Sequence, residues 1–157
     1  MINLEKTYYL TPEGLEKFKE KLEHLEENVM DDVRSELRVA QEEEPDPTEN
    51  PGLRDAISRQ QQAEEEIEEL KNVLNNYELI EGGSGDKVEL GSVVEVKVDG
   101  EKDKFQIVGS LEADPVNGKI SYESPVGEAL LGAKPGEEVE AGGSIVRGAT
   151  YKVLSVN

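Results

Sequence analysis

The chain has 157 residues, of which 36 are acidic and 17 are lysine or arginine, so its formal net charge is −19. This charge rules out the commonest route to nucleic-acid affinity, a basic face that neutralises phosphates, and argues against adhesion to an anionic membrane. The absence of cysteine and the single histidine, His24, exclude disulfides, thiolate metal sites and a histidine-built zinc site. No apolar run approaches the roughly 20 residues of a membrane span and no signal peptide is recognisable, so we expect a soluble, cytoplasmic protein.

The first half of the chain has the periodicity of two long helices. Thr11, Pro12 and Glu13 are typical of a helix start, and Pro45 and Pro47 interrupt the helical pattern. Apolar residues spaced three and four apart form a stripe on each side of these prolines, and the first stripe shifts phase in its second half. The first stripe comprises Leu15, Phe18, Leu22, Leu25, Val29, Val33, Leu37 and Ala40, and the second Leu53, Ala56, Gln60, Ala63, Ile67, Leu70, Leu74 and Tyr77. Two such stripes joined by a short acidic turn predict an antiparallel coiled-coil hairpin.

The second half has the periodicity of β-strands. After the glycine-rich stretch Gly82–Gly85, valines alternate with charged residues over Val94–Val98, as in a strand with one buried face. Asp99-Gly100 and Asn117-Gly118 are turn signals, and Ile145–Val156 is predicted as the last strand. The pattern predicts a small antiparallel sheet.

Together these patterns predict an α+β chain of two domains. Residues 1–80 form the coiled-coil hairpin, with an acidic tip near residues 42–50, and residues 81–157 form the β domain. Ser124-Pro125 reads as a helix cap followed by a first helical residue, and it predicts one short helix within the β domain.

The turn between the two helices carries the strongest candidates for metal binding or catalysis. Asp46 and Glu49 flank the bend and Asn50 follows at once. Carboxylate oxygens suit Mg²⁺, which takes one or two carboxylates and keeps several waters. Two of them would bind the ion feebly unless another macromolecule supplied most of its ligands. The alternative interpretation is that acidic residues favour turns and keep an exposed loop hydrated.

Several segments, in order and with matching spacing, resemble the bacterial Gre transcript-cleavage factors of the GreA type over nearly the whole chain. The tip sequence Asp46-Pro47-Thr48-Glu49-Asn50 is similar to the family's tip motif, an Asp, two intervening residues and then Glu-Asn. The other matching segments are residues 10–17, 105–109, 112–114, 120–121 and 124–132.

The resemblance implies a C-terminal FKBP-like domain that docks on bacterial RNA polymerase and a coiled coil that enters the polymerase's secondary channel. It further implies that two tip carboxylates help to hold a second Mg²⁺ there, so that the polymerase cuts the 3′ end of backtracked nascent RNA. Asp46 and Glu49 are then the metal-ligand and catalytic-assist candidates, with Glu44 and Asn50 as tip neighbours. On this interpretation the chain is an accessory factor and no enzyme, it holds no Mg²⁺ stably by itself, and we expect a monomer when it is free.

Two further groups of residues are candidates for contacts with partners. Basic residues near the tip are candidates for contact with the RNA 3′ end, or alternatively form ion pairs on the helix surface. Residues around the short helix are candidates for polymerase docking, or alternatively a helix cap and core residues. The first group is Arg34, Arg38, Arg54 and Arg59, and the second is Ser124, Pro125, Val126 and Leu130.

The sequence leaves alternative functions open. At the tip, Pro45, Pro47 and the triplet Pro51-Gly52-Leu53 depart from the family's usual residues. The acidic cluster Glu42–Glu44 with Asp46, together with Pro51-Gly52-Leu53, favours a related branch of the family that blocks the channel and inhibits without cleavage. Retention of Asp46 and Glu49-Asn50 favours cleavage. Two further alternatives are a peptidyl-prolyl isomerase, disfavoured because residues 81–157 contain only three aromatic residues, and a plain coiled-coil adaptor. The three aromatic residues are Phe105, Tyr122 and Tyr151.

Overall fold

The computed structural model describes residues 6–141 and 149–157. In chain order its elements are β1 (Tyr8–Leu10), α1 (Pro12–His24), a π-helical turn (Leu25–Val29), α2 (Met30–Glu43), α3 (Pro51–Asn75), β2 (Tyr77–Leu79), β3 (Val93–Val98), β4 (Glu101–Val108), β5 (Lys119–Ser121), α4 (Pro125–Leu130), β6 (Glu138–Ala141) and β7 (Ala149–Val156). The predicted α+β class is confirmed. Residues 145–148 of the predicted last strand lie outside the described residues. Within those residues, no helix has the length and apolar character needed to cross a membrane.

The chain divides into two compact units. The helical unit comprises Leu15–Asn76, and the β unit combines Thr7–Gly14 with Tyr77–Asn157. The β unit therefore includes segments on the N-terminal side of residue 80, the boundary predicted from sequence. The physical reason is that β1 and β2 pair in parallel, and the Ile80 amide donates a hydrogen bond to the Leu10 carbonyl at 2.7 Å.

The helical unit is built on one apolar seam. Its buried side chains are Leu25, Met30, Val33, Leu53, Ala56, Ala63, Leu70 and Val73. Ion pairs on the exposed flanks join Glu36 to Arg59 and Glu26 to Lys71, so residue numbers rise on one side of the hairpin while they fall on the other. The predicted antiparallel hairpin is thus present.

The π-helical turn explains the phase shift in the first apolar stripe. Leu25 and Met30 are both buried although they lie five positions apart, a spacing that an uninterrupted α-helix would place on different faces. A π turn accommodates one extra residue per turn. The stripe therefore stays on the side that packs against α3.

The β unit contains a five-stranded sheet with the strand order β5-β4-β3-β7-β6. Its neighbouring strands are antiparallel except for β4 and β5, which run parallel. The antiparallel β domain predicted from sequence is confirmed, with β4 and β5 as a parallel pair within it. Two short 3₁₀ turns, Ser110–Glu112 and Pro115–Asn117, lie between β4 and β5, and Gly118 closes the second with a left-handed φ of 75°. This connection returns the chain to the level of Gln106, so that β5 runs parallel to the last three residues of β4.

One face of this sheet forms the core of the β unit. Val94, Val96, Ile107 and Val153 are fully buried there, and Leu130 of α4 is equally inaccessible. The aromatic side chains pack against one another at the edges of this core, Phe105 against Tyr151 and Tyr9 against Tyr122, both edge to face. These aromatic rings therefore contribute to packing at the edges of the sheet.

Candidate functional site

The tip segment, Glu44–Asn50, connects α2 to α3. All of its side chains are exposed except Asn50, which is half-buried. The Glu49 amide donates to the Asp46 carbonyl at 3.1 Å, which closes a four-residue β-turn. Aspartate at the first position and proline at the second are preferences of a type I turn, and Pro47 fixes its own φ. The local sequence therefore specifies the turn that carries both candidate carboxylates.

Asp46 is held by the residue two positions further on. Its Oδ1 accepts hydrogen bonds from the Thr48 hydroxyl at 2.7 Å and from the Thr48 amide at 2.9 Å. These bonds stabilise the ionised carboxylate, the hydroxyl contributing most, and lower the pKa of Asp46 below its ordinary value. Asp46 is therefore an anion at neutral pH, and its Oδ2 has no hydrogen-bond partner among the described residues.

Glu49 stands at the other end of the same turn. Its backbone closes the turn, and its exposed carboxylate makes no hydrogen bond or ion pair with any residue that the structure describes. The tip thus presents two carboxylates to solvent, at the first and fourth positions of one turn. Over residues 6–141 and 149–157, no group of three or more His, Cys, Asp or Glu side chains is arranged to hold a metal ion.

This donor set fits Mg²⁺ as a partial site. Mg²⁺ needs six oxygen ligands in octahedral geometry and commonly takes only one or two of them from carboxylates. Asp46 and Glu49 supply hard oxygen donors, and at least one of them is firmly ionised. Both are exposed, which leaves room for ligands from another molecule. The site is incomplete by itself.

Asn50 joins the two helices at the tip. Its Oδ1 accepts from the Leu53 amide at 3.0 Å and caps α3. Its Nδ2 donates to the Ala40 and Glu44 carbonyls, both at 2.9 Å. One side chain thereby binds backbone groups at the end of α2 and at the start of α3, and the Ala40 carbonyl also accepts from the Glu44 amide at 3.1 Å. Asn50, predicted as a tip neighbour, has this structural role.

We expect Asn50→Ala to destabilise the helical unit by about 1–2 kcal/mol, because it removes a helix cap and the side-chain amide that donates to two carbonyls at the end of α2. Asn50→Asp, which keeps the cap acceptor but loses the amide donors, should have an intermediate effect. Urea unfolding followed by circular dichroism measures both. Equal stability of wild type and Asn50→Ala would contradict the assigned role.

Glu44 and Arg54 support the turn from its two sides. Glu44 Oε1 accepts from the Asp46 amide at 3.0 Å. Arg54 Nη1 reaches the carbonyls of Pro47 at 3.3 Å and Thr48 at 3.2 Å. The structure thus places both side chains where they hold the backbone of the turn.

The other three predicted basic residues differ in their surroundings. Arg59 forms an ion pair with Glu36 across the hairpin, and Arg34 contacts Asp31 at 3.3 Å on its own helix. Both fit the alternative of ion pairs on the helix surface. Arg38 is exposed and has no hydrogen bond or ion pair with the described part of the chain, so among the four its guanidinium is the one available to a partner.

The predicted docking residues lie around α4. Ser124 caps this helix, accepting from the Gly127 amide at 3.1 Å and donating to the Ser121 carbonyl at 2.6 Å. Pro125 is exposed and Val126 is half-buried against the core. Leu130 is 0% exposed, so the prediction that it contacts a partner is wrong for this conformation. It is a core residue because α4 packs its apolar face on the sheet.

Thr48 is a tip residue whose role was not predicted from the sequence. An aspartate followed two residues later by threonine is a recognisable signal, since the aspartate side chain readily accepts hydrogen bonds from the backbone two positions on. The signal was present in Asp46-Pro47-Thr48.

The role of Thr48 gives a pH-dependent prediction. Because the folded-state pKa of Asp46 is lowered, the two Thr48 bonds stabilise the fold above the carboxyl's unfolded pKa, and this contribution is lost as the pH falls through the folded pKa. Thr48→Val removes the hydroxyl donor, so the pKa of Asp46 should rise toward its ordinary value. Thr48→Ser retains the donor and serves as the matched control. A ¹³C carboxyl NMR titration measures the pKa, and identical Asp46 pKa values in both variants would contradict the assignment.

Comparison with known proteins supplies the family. Residues 8–79 match the family described as "Transcription elongation factor, N-terminal", and residues 83–157 match "Transcription elongation factor, GreA/GreB, C-term". The chain is 38% identical over 151 residues to transcription elongation factor GreA of Mycoplasmopsis pulmonis, covering 95% of this chain and 94% of that protein. It is also 38% identical over 157 residues to GreA of Clostridium acetobutylicum, covering 97% and 98% respectively.

Among solved structures, the crystal structure of GreA factor homolog 1 of Thermus thermophilus aligns with 97% of this chain and 99% of that one, at 28% identity and a TM-score of 0.43. The family resemblance inferred from the sequence segments is confirmed by the matches to both halves and by the curated relatives. The chain belongs to the GreA/GreB family of transcription elongation factors.

Proposed function

We propose that this protein binds bacterial RNA polymerase through its β unit and inserts the tip of its helical unit into the polymerase's secondary channel. There it stimulates the polymerase's own Mg²⁺-dependent cleavage of backtracked RNA. Membership of the GreA/GreB family supports the partner and the process. The arrangement of Asp46 and Glu49 on one exposed turn supports the role of the tip.

The incomplete donor set at the tip is the observation that carries the proposal. Asp46 and Glu49 would hold the ion jointly with ligands from the polymerase. When bound, Mg²⁺ would lower the pKa of the attacking water and stabilise the negative charge on the leaving oxygen. Because the chain supplies two donors in one turn and no third in the described residues, we expect it to have no nuclease activity alone.

The rest of the tip orients the Asp46 carboxylate and holds the backbone of the turn from which Glu49 projects. Thr48 holds Asp46, Arg54 holds the turn carbonyls, and Asn50 ties together the ends of α2 and α3. A donor that is already oriented loses little conformational entropy when it binds its target, which strengthens its contribution in the reacting complex. These three side chains are therefore positioning residues.

The direct test uses a stalled, backtracked elongation complex carrying end-labelled RNA. With the protein and Mg²⁺ added, the RNA should shorten from its 3′ end and elongation should then resume. The same RNA incubated with the protein and Mg²⁺ in the absence of polymerase should remain intact. RNA that stays full length despite binding of the protein would overturn the cleavage proposal.

The acidic residues preceding the turn favour one other function, inhibition. Glu42 and Glu43 are exposed at the end of α2, directly before Glu44 and the turn. A tip with this many negative charges would attract metal ions and basic groups in the polymerase active site without assembling a productive site. Slower elongation without RNA shortening, in the same assay, would identify the protein as an inhibitor.

A further inference from the structure

The outer face of the five-stranded sheet, opposite the core, carries a group of lysines. Lys97 on β3 lies directly opposite Lys102 on β4 and Lys152 on β7. Paired residues and alternate residues along a strand share a face, so Lys104 lies on the same side, and Lys119 joins it through its pairing with Gln106. We call Lys97, Lys102, Lys104, Lys119 and Lys152 the lysine face.

This concentration departs from the charge of the rest of the molecule. The chain's net charge is −19, yet five of the eight lysines and arginines in residues 77–157 lie on this one face. Lys102 approaches Glu95 at 3.8 Å. The other four form no ion pair with any residue in the described ranges, and all five are exposed except Lys119, which is half-buried.

The centre of this face is unfavourable for the fold, although Lys104 and Lys152 each also lie directly opposite a glutamate, Glu95 and Glu138. Like charges on directly opposite strand positions are destabilising, and Lys97 has such a neighbour on both sides. Outward positions of a sheet accept many polar residues, so three adjacent lysines are not required for folding. Unfavourable interactions of this kind are tolerated where a surface serves function rather than stability.

A shallow cavity of about 270 Å³ opens on the same face. Lys104 and Lys119 line it together with Val93 and Gln106, which occupy the same cross-strand row as Lys119. Two ammonium groups beside a partly apolar depression suit an acidic side chain, whose methylene groups enter the depression while its carboxylate meets the lysines.

On the basis of the proposed function, we propose that the lysine face docks an acidic patch on the surface of RNA polymerase and that the cavity between Lys104 and Lys119 receives one carboxylate side chain of that patch. A protein partner fits better than nucleic acid because the chain as a whole repels a dense polyanion. A local acidic patch, flanked by neutral and basic surface, needs only local complementarity.

The test measures the affinity of the full chain for purified bacterial RNA polymerase at about 50 mM and about 500 mM salt. Lys104→Gln combined with Lys119→Gln should weaken binding about tenfold at low salt, and the difference should shrink at high salt as the charges are screened. The matched control combines Lys87→Gln with Lys134→Gln, which removes the same charge from exposed positions of the β unit outside the lysine face. The control should bind like wild type.

Lys97→Glu adds a readout that misfolding cannot imitate. The new carboxylate lies between Lys102 and Lys152, so the unfolding midpoint should rise while polymerase affinity at low salt falls. Two results would overturn the proposal. One is a Lys97→Glu protein that is less stable than wild type, and the other is a Lys97→Glu protein that equals wild type in both stability and polymerase affinity.

The remaining outcomes separate this inference from the proposed function. A wild-type chain that does not bind polymerase overturns both. Suppose instead that wild type binds polymerase. If the Lys104/Lys119 variant then binds equally well, or if the Lys87/Lys134 control loses as much affinity, only the lysine-face proposal is overturned. A labelled DNA duplex serves as the nucleic-acid probe. If the duplex binds wild type and the Lys104/Lys119 variant loses the duplex but keeps polymerase, the face is a nucleic-acid site and the proposal is wrong.

Discussion

Asp46→Asn should reduce stimulated RNA cleavage by about 100-fold or more while leaving polymerase affinity within about twofold of wild type. The substitution preserves the size of the side chain and an oxygen that can accept from Thr48, so the turn survives. It removes the negative charge that makes a carboxylate a strong ligand for a divalent cation. The measurement is the single-turnover rate of RNA shortening in a backtracked complex, with binding measured separately.

A neighbouring carboxylate supplies the control. Glu43→Gln removes one charge from the exposed end of α2, outside the turn, and should leave cleavage near the wild-type rate. Glu49→Gln should behave like Asp46→Asn. If Glu43→Gln lowers cleavage as strongly as either turn substitution, the tip acts through its total charge and not through two specific ligands.

The second large effect is expected in the β unit, at Gly109, which is buried directly after β4. A methyl group added there would overlap the backbone carbonyl of Tyr9 in β1. Backbone cannot rotate away as a side chain can, so Gly109→Ala should force β1 off its position and cost about 3 kcal/mol of stability.

Gly82→Ala is the matched control, because an added methyl group meets nothing within 4 Å there and the backbone has no left-handed φ. It should unfold at the same urea concentration as wild type or slightly above it. A Gly109→Ala protein as stable as the Gly82→Ala protein would mean that β1 does not pack against Gly109 in solution.

The close packing at Gly109 belongs to a part of the fold that the sequence did not predict. The Glu112 carboxylate accepts hydrogen bonds from the Thr11 amide at 2.8 Å and the Thr11 hydroxyl at 2.5 Å, and the Thr11 hydroxyl accepts in turn from the Gly14 amide at 3.1 Å. Thr11 was predictable as a helix cap because capping is local. Its partnership with Glu112 depends on contacts between segments far apart in the sequence, and no local pattern encodes such contacts.

The same distinction between local and distant information applies elsewhere. The apolar stripes predicted both long helices, and the phase shift in the first stripe corresponds to the π-helical turn at Leu25–Val29. At the tip, Asp46, Pro47 and Thr48 specify their turn through nearest-neighbour chemistry. The parallel pairing of β4 with β5 was missed because the Asn117-Gly118 signal marks a turn but not the direction in which the chain leaves it.

The lysine face depends almost entirely on contacts between residues that are distant in the sequence. Alternation along Val94–Val98 predicted a strand with one wet face, and it correctly placed Lys97 there. That Lys97 meets Lys102 and Lys152 depends on the order of strands in the sheet, which the sequence pattern left open. A surface made by three strands becomes visible only when their order and register are known.

The central claim, that Asp46 and Glu49 supply ligands to a metal ion completed by the polymerase, is tested most directly by a Mg²⁺ titration of cleavage in a backtracked complex. Wild type should lower the Mg²⁺ concentration needed for half-maximal cleavage relative to polymerase alone, and Asp46→Asn should return it toward the value without the factor. If the half-maximal Mg²⁺ concentration is the same with wild type, with Asp46→Asn and without the factor, the tip contributes no metal ligand.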